Sequence, residues 1–209
     1  MRIRDRDGGY DDGYRECSCF WGKEPGSLVL RLFRQASHIP SRVLDLGCGE
    51  GKNASFFAER GATVDAVDCS SHALRNAAEA CGGSTGVTWH LSDARDFLNQ
   101  PRQPYDIVVM YGLLHCLPSL DDVLGLVDRA RRLTTAGGLH ILCAFNQRAQ
   151  DLSAAHPTFA PLLLTHTTYV GAYEGWAVDA SDEDLFEVHP HNRIPHRHSM
   201  TRLVARAPA

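Results

Sequence analysis

Val43-Leu44-Asp45-Leu46-Gly47-Cys48-Gly49-Glu50-Gly51-Lys52-Asn53 is the stretch that decides the fold. It begins with a short apolar run, passes through three glycines spaced two apart, and resumes with helical spacing over residues 54–60. This pattern predicts a strand, a tight loop and a helix, the opening unit of a nucleotide-type α/β fold. Glycines let the backbone adopt positive φ and approach a ligand closely, and the N–H groups at the helix start face whatever lies over the loop.

The loop carries an acid, Asp45, at the end of its strand, and its glycines follow G-x-G-x-G. Dinucleotide sites more often show G-x-G-x-x-G, with a pyrophosphate over the helix. An acid suits a cationic ligand better than a pyrophosphate. We therefore expect S-adenosylmethionine, whose amino group Asp45 would hold directly or through water.

Composition and length limit the class of protein. A chain of 209 residues predicts one domain with a full core, and 44% hydrophobic with 22% charged residues is typical of a soluble globular protein. The net charge of −4 argues against broad nucleic-acid binding. No apolar run is long enough for a membrane span, and the first residues lack a signal-peptide core. Seven cysteines without a C-x-x-C pair argue against zinc or disulfides and favour the cytoplasm. We expect a monomer or a homodimer.

Apolar strands alternate with helices through the first two thirds of the chain, which predicts right-handed crossovers and a parallel sheet covered on both faces. The helix at 121–133 is predicted to stop at Gly137-Gly138. After an irregular stretch with Pro157 and Pro161, two closing strands are joined by a loop at 189–198. The strands are expected at 43–46, 63–68, 87–91, 105–110, 139–145, 176–188 and 199–206.

Acids follow the second and third predicted strands. Asp68 lies about twenty residues beyond the glycine loop, where a carboxylate can accept both hydroxyls of a ribose. Asp93 can accept from an adenine amino group while the N–H of Ala94 serves a ring nitrogen. Because ligands of parallel α/β sheets bind beyond the carboxyl ends of the strands, these residues are expected to converge with Tyr111 and the 146–164 stretch.

Residues 1 to about 20 show no periodicity and predict a mobile arm. Phe20 and Trp21 either pin this arm to the body or close over a ligand as a lid, since aromatic rings serve both purposes. The expected organisation is an arm or lid at 1–26 and one domain at 27–209, in which 146–175 and 189–198 form the substrate side.

The motifs together resemble those of the class I S-adenosylmethionine-dependent methyltransferases. VLDLGCGEGKNA resembles the first family motif, VDCS the ribose acid, SDA the adenine pair and YDIVVMYGLLH the fourth motif, over roughly residues 40–145. The resemblance implies a Rossmann-like doubly wound, mostly parallel seven-stranded α/β sheet of order 3-2-1-4-5-7-6 with the last strand antiparallel. It implies cofactor contacts from Trp21, Asp45, Gly47, Gly49, Asn53, Asp68, Cys69, Asp93, Ala94 and Tyr111, with S-adenosylhomocysteine as product.

Within the class, GCGEGKN, FWGKEP and HPHNRIPHRHSMTRLVAR are most similar to the tellurite-resistance and thiol-methyltransferase-like branch. That likeness implies a small, soft acceptor such as a thiol or a chalcogen oxyanion. Many relatives of this type instead methylate oxygens or nitrogens of biosynthetic metabolites. From other classes, a non-catalytic S-adenosylmethionine-binding module and a nucleotide-dependent oxidoreductase stay open.

Methyl transfer is an in-line displacement, so the protein mainly positions two reactants and excludes water. A base is needed only where the acceptor must lose a proton, and His115 is the candidate, unless it packs on the next helix. His196 and Arg197 are predicted to face the substrate. The pairs His189/His191 and His196/His198 could bind substrate or a metal, or form a solvated hairpin tip; no metal is expected.

Overall fold

The computed structural model describes residues 10–35, 41–80, 86–151, 159–188 and 193–209. Within these residues the predicted strands are present and pair into one sheet. The strands are β1 (Arg42–Leu46), β2 (Thr63–Asp68), β3 (Val87–Leu91), β4 (Tyr105–Tyr111), β5 (Thr134–Gln150), β6 (Ala177–Val188) and β7 (Pro195–Arg206).

The sheet has the order β3-β2-β1-β4-β5-β7-β6. The first five strands pair in parallel, and β7 runs antiparallel to both β5 and β6. Since β1 and β4 are almost wholly buried, their continuous apolar runs are those of strands covered on two faces. The predicted topology is confirmed, including the antiparallel last strand.

Helices cover both faces of the sheet. They are α1 (Tyr10–Glu16), α2 (Ser27–Gln35), α3 (Lys52–Ala58), α4 (Ser71–Ala80), α5 (Ala94–Leu98), α6 (Leu120–Arg132) and α7 (His166–Gly171), with a 3₁₀ turn at Leu114–Cys116. Among the described residues, none of these helices has the length and apolarity needed to cross a membrane.

Two apolar cores lie on opposite faces of the sheet. One packs Phe97 of α5, Leu126 of α6 and Tyr173 against the sheet. The other packs α2 and α3 through Leu28 and Phe57. Burying one such side chain contributes about 1.5–3 kcal/mol, so the two cores hold the strand ends in fixed positions.

The helix α6 shows how local signals place these elements. Ser119 caps it by accepting from the N–H of Asp122 at 3.1 Å. Asp121 and Asp122 lie in its first turn, and arginines fill its last turn, in agreement with the helix dipole.

The predicted end of this helix is wrong in one respect. It ends at Arg132, and Gly137-Gly138 lie inside β5, which begins at Thr134. The pairing of β4 with β5 shifts register between Tyr105 and Ile107, so an irregular stretch of strand absorbs the two glycines.

Two loop predictions are also corrected. Residues 10–16 form α1 rather than an irregular arm. A seven-residue helix has little stability of its own, so its packing on α4 accounts for it, and no local pattern shows that packing. The predicted loop 189–198 is shorter, because β7 already begins at Pro195; residues 189–192 lie outside the described residues.

Candidate active site

A cavity of about 250 Å³ lies beyond the carboxyl ends of β1, β2, β3 and β4. This edge is where parallel α/β sheets bind ligands. The glycine loop forms its floor, and the first turns after the strands form its walls. Residues of α1 and of the segment that follows it form its roof.

The loop between β1 and α3 depends on its glycines. Gly47, Gly49 and Gly51 have φ of 66°, 54° and 77°, in the left-handed region. The N–H of Gly47 donates to the carbonyl of Val67 at 2.9 Å, which ties the loop to the end of β2. A Cβ on Gly51 would come within 2.3 Å of the Trp89 ring. Gly47 and Gly49 line the cavity, so the loop presents bare backbone there, as the sequence predicts.

Asp68 stands at the end of β2 and lines the cavity. Its Oδ2 accepts from the N–H of Gly49, and its Oδ1 accepts from the N–H of Ser70, each at 2.8 Å. These two donors fix the carboxylate at the cavity wall beside the half-buried Cys69, which also lines the cavity. The arrangement fits the expected ribose contact.

Asp93 lies at the end of β3 and caps α5. Arg95 donates to both oxygens of its carboxylate, from Nε at 3.0 Å and from a terminal nitrogen at 2.7 Å. Arg95 also donates to Asp122 of α6 at 2.8 Å, and these partners raise its pKa. The arginine thus fixes the orientation of Asp93, and Ala94 follows it in the cavity lining.

Asp45 is 1% exposed and lies behind the loop, outside the cavity lining. Burial raises the pKa of its carboxyl to about 7, although the N–H of Ala54 donates to it. Its Oδ2 has no hydrogen-bond partner among the described residues. A buried, unpaired carboxylate oxygen fits a cationic amino group, reached through a water or a small loop movement.

The roof is formed by rings of the N-terminal segment. Tyr10 and Tyr14 of α1 and Trp21 line the cavity. The Tyr14 hydroxyl accepts from Trp21 Nε1 at 3.1 Å and lies directly over the glycine loop, 2.9 Å from where a Cβ of Gly49 would stand. The rings of Tyr10 and Trp21 meet edge to face at 5.3 Å.

Glu50 of the glycine loop holds this segment, a role that sequence reasoning missed. Its Oε1 accepts from the N–H of Cys19 at 2.7 Å and from Asn76 Nδ2 at 2.9 Å. Its Oε2 accepts from the N–H of Phe20 at 2.6 Å. In the sequence, Glu50 stands between two glycines of the loop, and no group of the expected cofactor is assigned to its carboxylate. An acid without a ligand to bind was the signal that it holds another part of the chain.

Further polar contacts anchor the roof to the elements that form the cavity. Asp11 accepts from Ser70 Oγ at 2.6 Å, next to Asp68. Lys52 Nζ donates to the carbonyl of Trp21 at 2.9 Å. The buried amide of Asn53 accepts from the N–H of Gly26 at 2.8 Å, so Asn53 both lines the cavity and holds the roof.

His115 lies in the 3₁₀ turn after β4, is 3% exposed and lines the cavity. Its Nδ1 accepts from the N–H of Phe145 at 3.1 Å, and burial lowers its pKa to about 3. A neutral imidazole whose Nδ1 accepts carries its proton on Nε2. The ring therefore offers the cavity an N–H donor, and the lone pair that a base would use is already occupied.

The end of the cavity beside His115 is apolar. Leu117, Phe145 and Met200 line it together with Leu113. Tyr111 packs against Gly26, where a Cβ would come within 2.4 Å of its ring, and burial raises the pKa of Tyr111 to about 12. The ring of Phe159, from the predicted insert, lies 4.9 Å from that of Tyr10.

His196 and Arg197 do not reach this cavity in the described structure. They lie on β7, where alternate side chains face opposite sides. His196 is buried and its Nδ1 lies 2.7 Å from the carbonyl of Ile194, whereas Arg197 points to solvent. His198 shares the buried face of His196, as predicted for alternate residues. His189 and His191 lie outside the described residues, and within these no cluster of three or more potential metal ligands occurs.

Comparisons with known proteins agree with this geometry. A family model described as a methyltransferase domain matches residues 43–138. Demethylmenaquinone methyltransferase of Tropheryma whipplei is 30% identical over 151 residues, 70% of this chain and 60% of that protein. The 2-heptyl-1-hydroxyquinolin-4(1H)-one methyltransferase of Mycobacteroides abscessus is 29% identical over 160 residues, 75% of this chain and 67% of that protein. The chain thus spans about 60% of the Tropheryma relative.

Among solved structures, TehB from Haemophilus influenzae superposes with a TM-score of 0.72 at 18% identity, over 88% of this chain and 62% of that one. At this identity the likeness is one of fold. The sheet order and the glycine loop are those of the class I S-adenosylmethionine-dependent methyltransferase fold, and residues 43–138 match the methyltransferase-domain model. The predicted cofactor, S-adenosylmethionine, is that of the class.

Proposed function

We propose that this protein methylates an apolar small molecule at an atom that ionises without a protein base, and that an acidic ring hydroxyl is its acceptor. The observation that carries the proposal is the hydrogen bond from the Phe145 N–H to His115 Nδ1. It leaves the histidine as a donor beside the reacting end of the cavity. A donor stabilises an anionic acceptor and lowers its pKa, but it takes no proton from a neutral one.

The shape and polarity of the acceptor end support a planar, apolar molecule. Its walls are Leu117, Phe145 and Met200, and its roof includes Tyr10. Aromatic side chains favour flat ring systems, and Phe145, whose faces are covered by His115 and His198, offers the edge of its ring. The name of one similar protein agrees with this class, since 2-heptyl-1-hydroxyquinolin-4(1H)-one itself contains a ring, an alkyl chain and a hydroxyl.

An oxyanion such as tellurite finds less support. Binding it calls for cations that reach the acceptor. Arg197 is exposed and His196 lies on β7 away from the cavity, so the two residues expected to bind it do not line the site. The charged residues that line the cavity among the described residues are Glu50, Lys52, Asp68 and Asp93, at the glycine-loop end. An apolar thiol stays a second candidate, since a thiol of pKa about 8.5 also ionises without a base.

The residues divide the work of the reaction. S-adenosylmethionine, when bound, supplies a methyl group on a sulfonium. Asp68 holds ribose hydroxyls, Asp93 and Ala94 hold the adenine edge, and Asp45 faces the amino group. His115 Nε2–H holds the acceptor in its ionised form. Positioning of this kind, in a site from which water is excluded, supplies most of the rate in a displacement without a covalent intermediate.

The N-terminal segment serves as the lid of this site. Tyr14 and Trp21 lie over the glycine loop, and Glu50 and Asp11 fasten the segment to the elements that form the cofactor end. We expect this lid to lift when a ligand of the size of S-adenosylmethionine enters.

An acceptor series tests the function. Phenol, 4-chlorophenol and 4-nitrophenol share one ring and differ in acidity; thiophenol, 1-hydroxyquinolin-4(1H)-one and tellurite complete the series. Release of S-adenosylhomocysteine is measured at pH 7.5, with the Asp68→Ala variant as negative control. We expect turnover that rises with acceptor acidity and none with tellurite. Turnover with tellurite alone would reject the proposal. Silence throughout, with S-adenosylhomocysteine still bound, would favour the non-catalytic module.

A further inference from the structure

His115 belongs to a column of stacked rings that continues away from the cavity. The ring of Phe145 stacks on His115 at 4.2 Å and 17°. The same ring stacks on His198 at 4.3 Å and 20°. His198 then meets His196 edge to face at 4.4 Å and 79°. Phe145 is thus in near-parallel contact with two imidazoles.

The order of the strands explains the column. Phe145 lies on β5, which pairs with β4 on one side and β7 on the other. His115 follows β4 and His198 lies on β7, so the two imidazoles approach Phe145 from opposite sides. Phe145 pairs with Met200, and His198, two residues away on β7, shares the same face of the strand.

The far histidine is itself fixed. His198 is 0% exposed, and its Nδ1 lies 3.3 Å from Gln150 Oε1. The amide of Gln150 donates from Nε2 to the carbonyls of Asn146 and Ser199, each at 2.7 Å. Because those two bonds fix which end of the amide is oxygen, His198 is the donor to Gln150. The plane of the His198 ring is therefore set by β5 and β7 rather than by the cavity.

We propose that His198 is a positioning residue for the methyl-transfer site, which holds His115 as an Nε2–H donor by clamping the Phe145 ring between the two imidazoles. Phe145 contacts His115 twice, through its backbone N–H and through its ring. A fixed ring keeps the N–H of the same residue aimed at Nδ1. His198 contacts no reactant and acts through Phe145. The expected effect of His198 on turnover rests on the proposed function, whereas its expected effect on the tautomer of His115 does not.

The variants are chosen by shape. His198→Leu keeps much of the volume but removes the planar face, and His198→Phe restores a flat ring. His140 is the matched control, since it is also 0% exposed and lies on β5, but it contacts Thr134 and Tyr173 instead of Phe145. His140→Leu therefore reports what the loss of any buried histidine does.

The first readout is the ¹⁵N NMR spectrum of the His115 ring in protein without acceptor. We expect a protonated Nε2 and an unprotonated Nδ1 in the wild type and in His198→Phe, and exchange between both tautomers in His198→Leu. A wild-type Nδ1–H tautomer would overturn the proposal. So would a His198→Leu spectrum equal to that of the wild type, or an equal change in His140→Leu.

The second readout is steady-state turnover of 4-nitrophenol. We expect His198→Leu to lower kcat/KM about 10- to 100-fold, as a displaced catalytic group does, with binding of S-adenosylhomocysteine unchanged and with rescue in His198→Phe. Equal losses in His198→Phe and His198→Leu would reject the positioning role. If no acceptor is turned over, the proposed function fails, while the tautomer experiment still decides the role of His198.

Discussion

Replacement of Glu50 by Gln tests whether the glycine loop holds the lid. The carboxylate accepts three hydrogen bonds, from the N–H groups of Cys19 and Phe20 and from Asn76 Nδ2, at 2.6 to 2.9 Å. Glutamine has one acceptor oxygen, and its NH₂ group would face an N–H donor. With the amide oxygen in the place of Oε1, the bonds from Cys19 and Asn76 are kept and the bond from the Phe20 N–H is lost, while shape and volume are kept.

The magnitude follows from these bonds. A hydrogen bond to a charged group contributes about 1.5–3 kcal/mol, so loss of the bond from the Phe20 N–H weakens lid closure by about 2 kcal/mol. If the lid closes over the bound cofactor, that free energy is lost from binding. Since about 1.4 kcal/mol corresponds to tenfold, the Kd of S-adenosylhomocysteine should rise about 30-fold. The other lid contacts, such as that of Lys52 with Trp21, make this an upper figure.

Two assays read the effect. Calorimetry gives the Kd, and limited trypsin digestion gives the opening of the lid, because Arg15 and Lys23 are exposed residues of that segment. Glu59→Gln is the control, since Glu59 is an exposed glutamate at the end of α3, at the far side from the loop. Cleavage at Arg15 and Lys23 should be faster in Glu50→Gln alone, and ligand should slow it. Unchanged Kd and unchanged cleavage would refute the reasoning.

Asp45 should make the ligand-free protein less stable as pH rises, because its folded-state pKa of about 7 exceeds the usual value near 4, so the unfolded chain releases this proton first. Between pH 4 and 8, the free energy of unfolding measured with urea should rise by up to about 4 kcal/mol in Asp45→Asn relative to the wild type. The control Asp96→Asn, at an exposed site, should show no such rise. Parallel curves of this free energy against pH for all three proteins would contradict the burial of an ionisable Asp45. Gly26→Ala should cost about 1–3 kcal/mol by thermal unfolding, because its Cβ would overlap the Tyr111 ring, whereas Gly171→Ala, with nothing within 4 Å, should be close to neutral. Equal melting temperatures for the two alanine variants would show that the ring yields freely.

The strands and the cofactor end were predictable because their signals are local. Strands buried on both faces are continuously apolar, and β4, predicted at residues 105–110, forms at Tyr105–Tyr111. The order of strands follows from the family motifs and is confirmed. The residues at the strand ends then converge on one edge, which follows from parallel pairing alone.

The acceptor end was not predictable in the same way, because it depends on contacts distant in sequence. Whether His115 can act as a base is decided by the N–H of Phe145, thirty residues further along the chain. The placement of His196 and Arg197 depends on which face of β7 each residue takes, and a shift by one residue exchanges the two faces. The helix α1 likewise forms because it packs on α4, and that contact joins residues distant in sequence.

The position of β7 inside the sheet has a consequence for how the chain folds. Although β7 is the last strand in sequence, it lies between β5 and β6 and supplies the pairing partner of both. Until residues 195–206 have left the ribosome, β5 has one open edge and β6 has no strand beside it. The nascent chain therefore carries the open edge of β5, and later both edges of β6, until β7 is in place, and pairing with another chain is the main hazard in that interval. The acidic residues Asp179, Asp182, Glu183 and Asp184 lie along β6, where like charges disfavour the pairing of two such strands with each other.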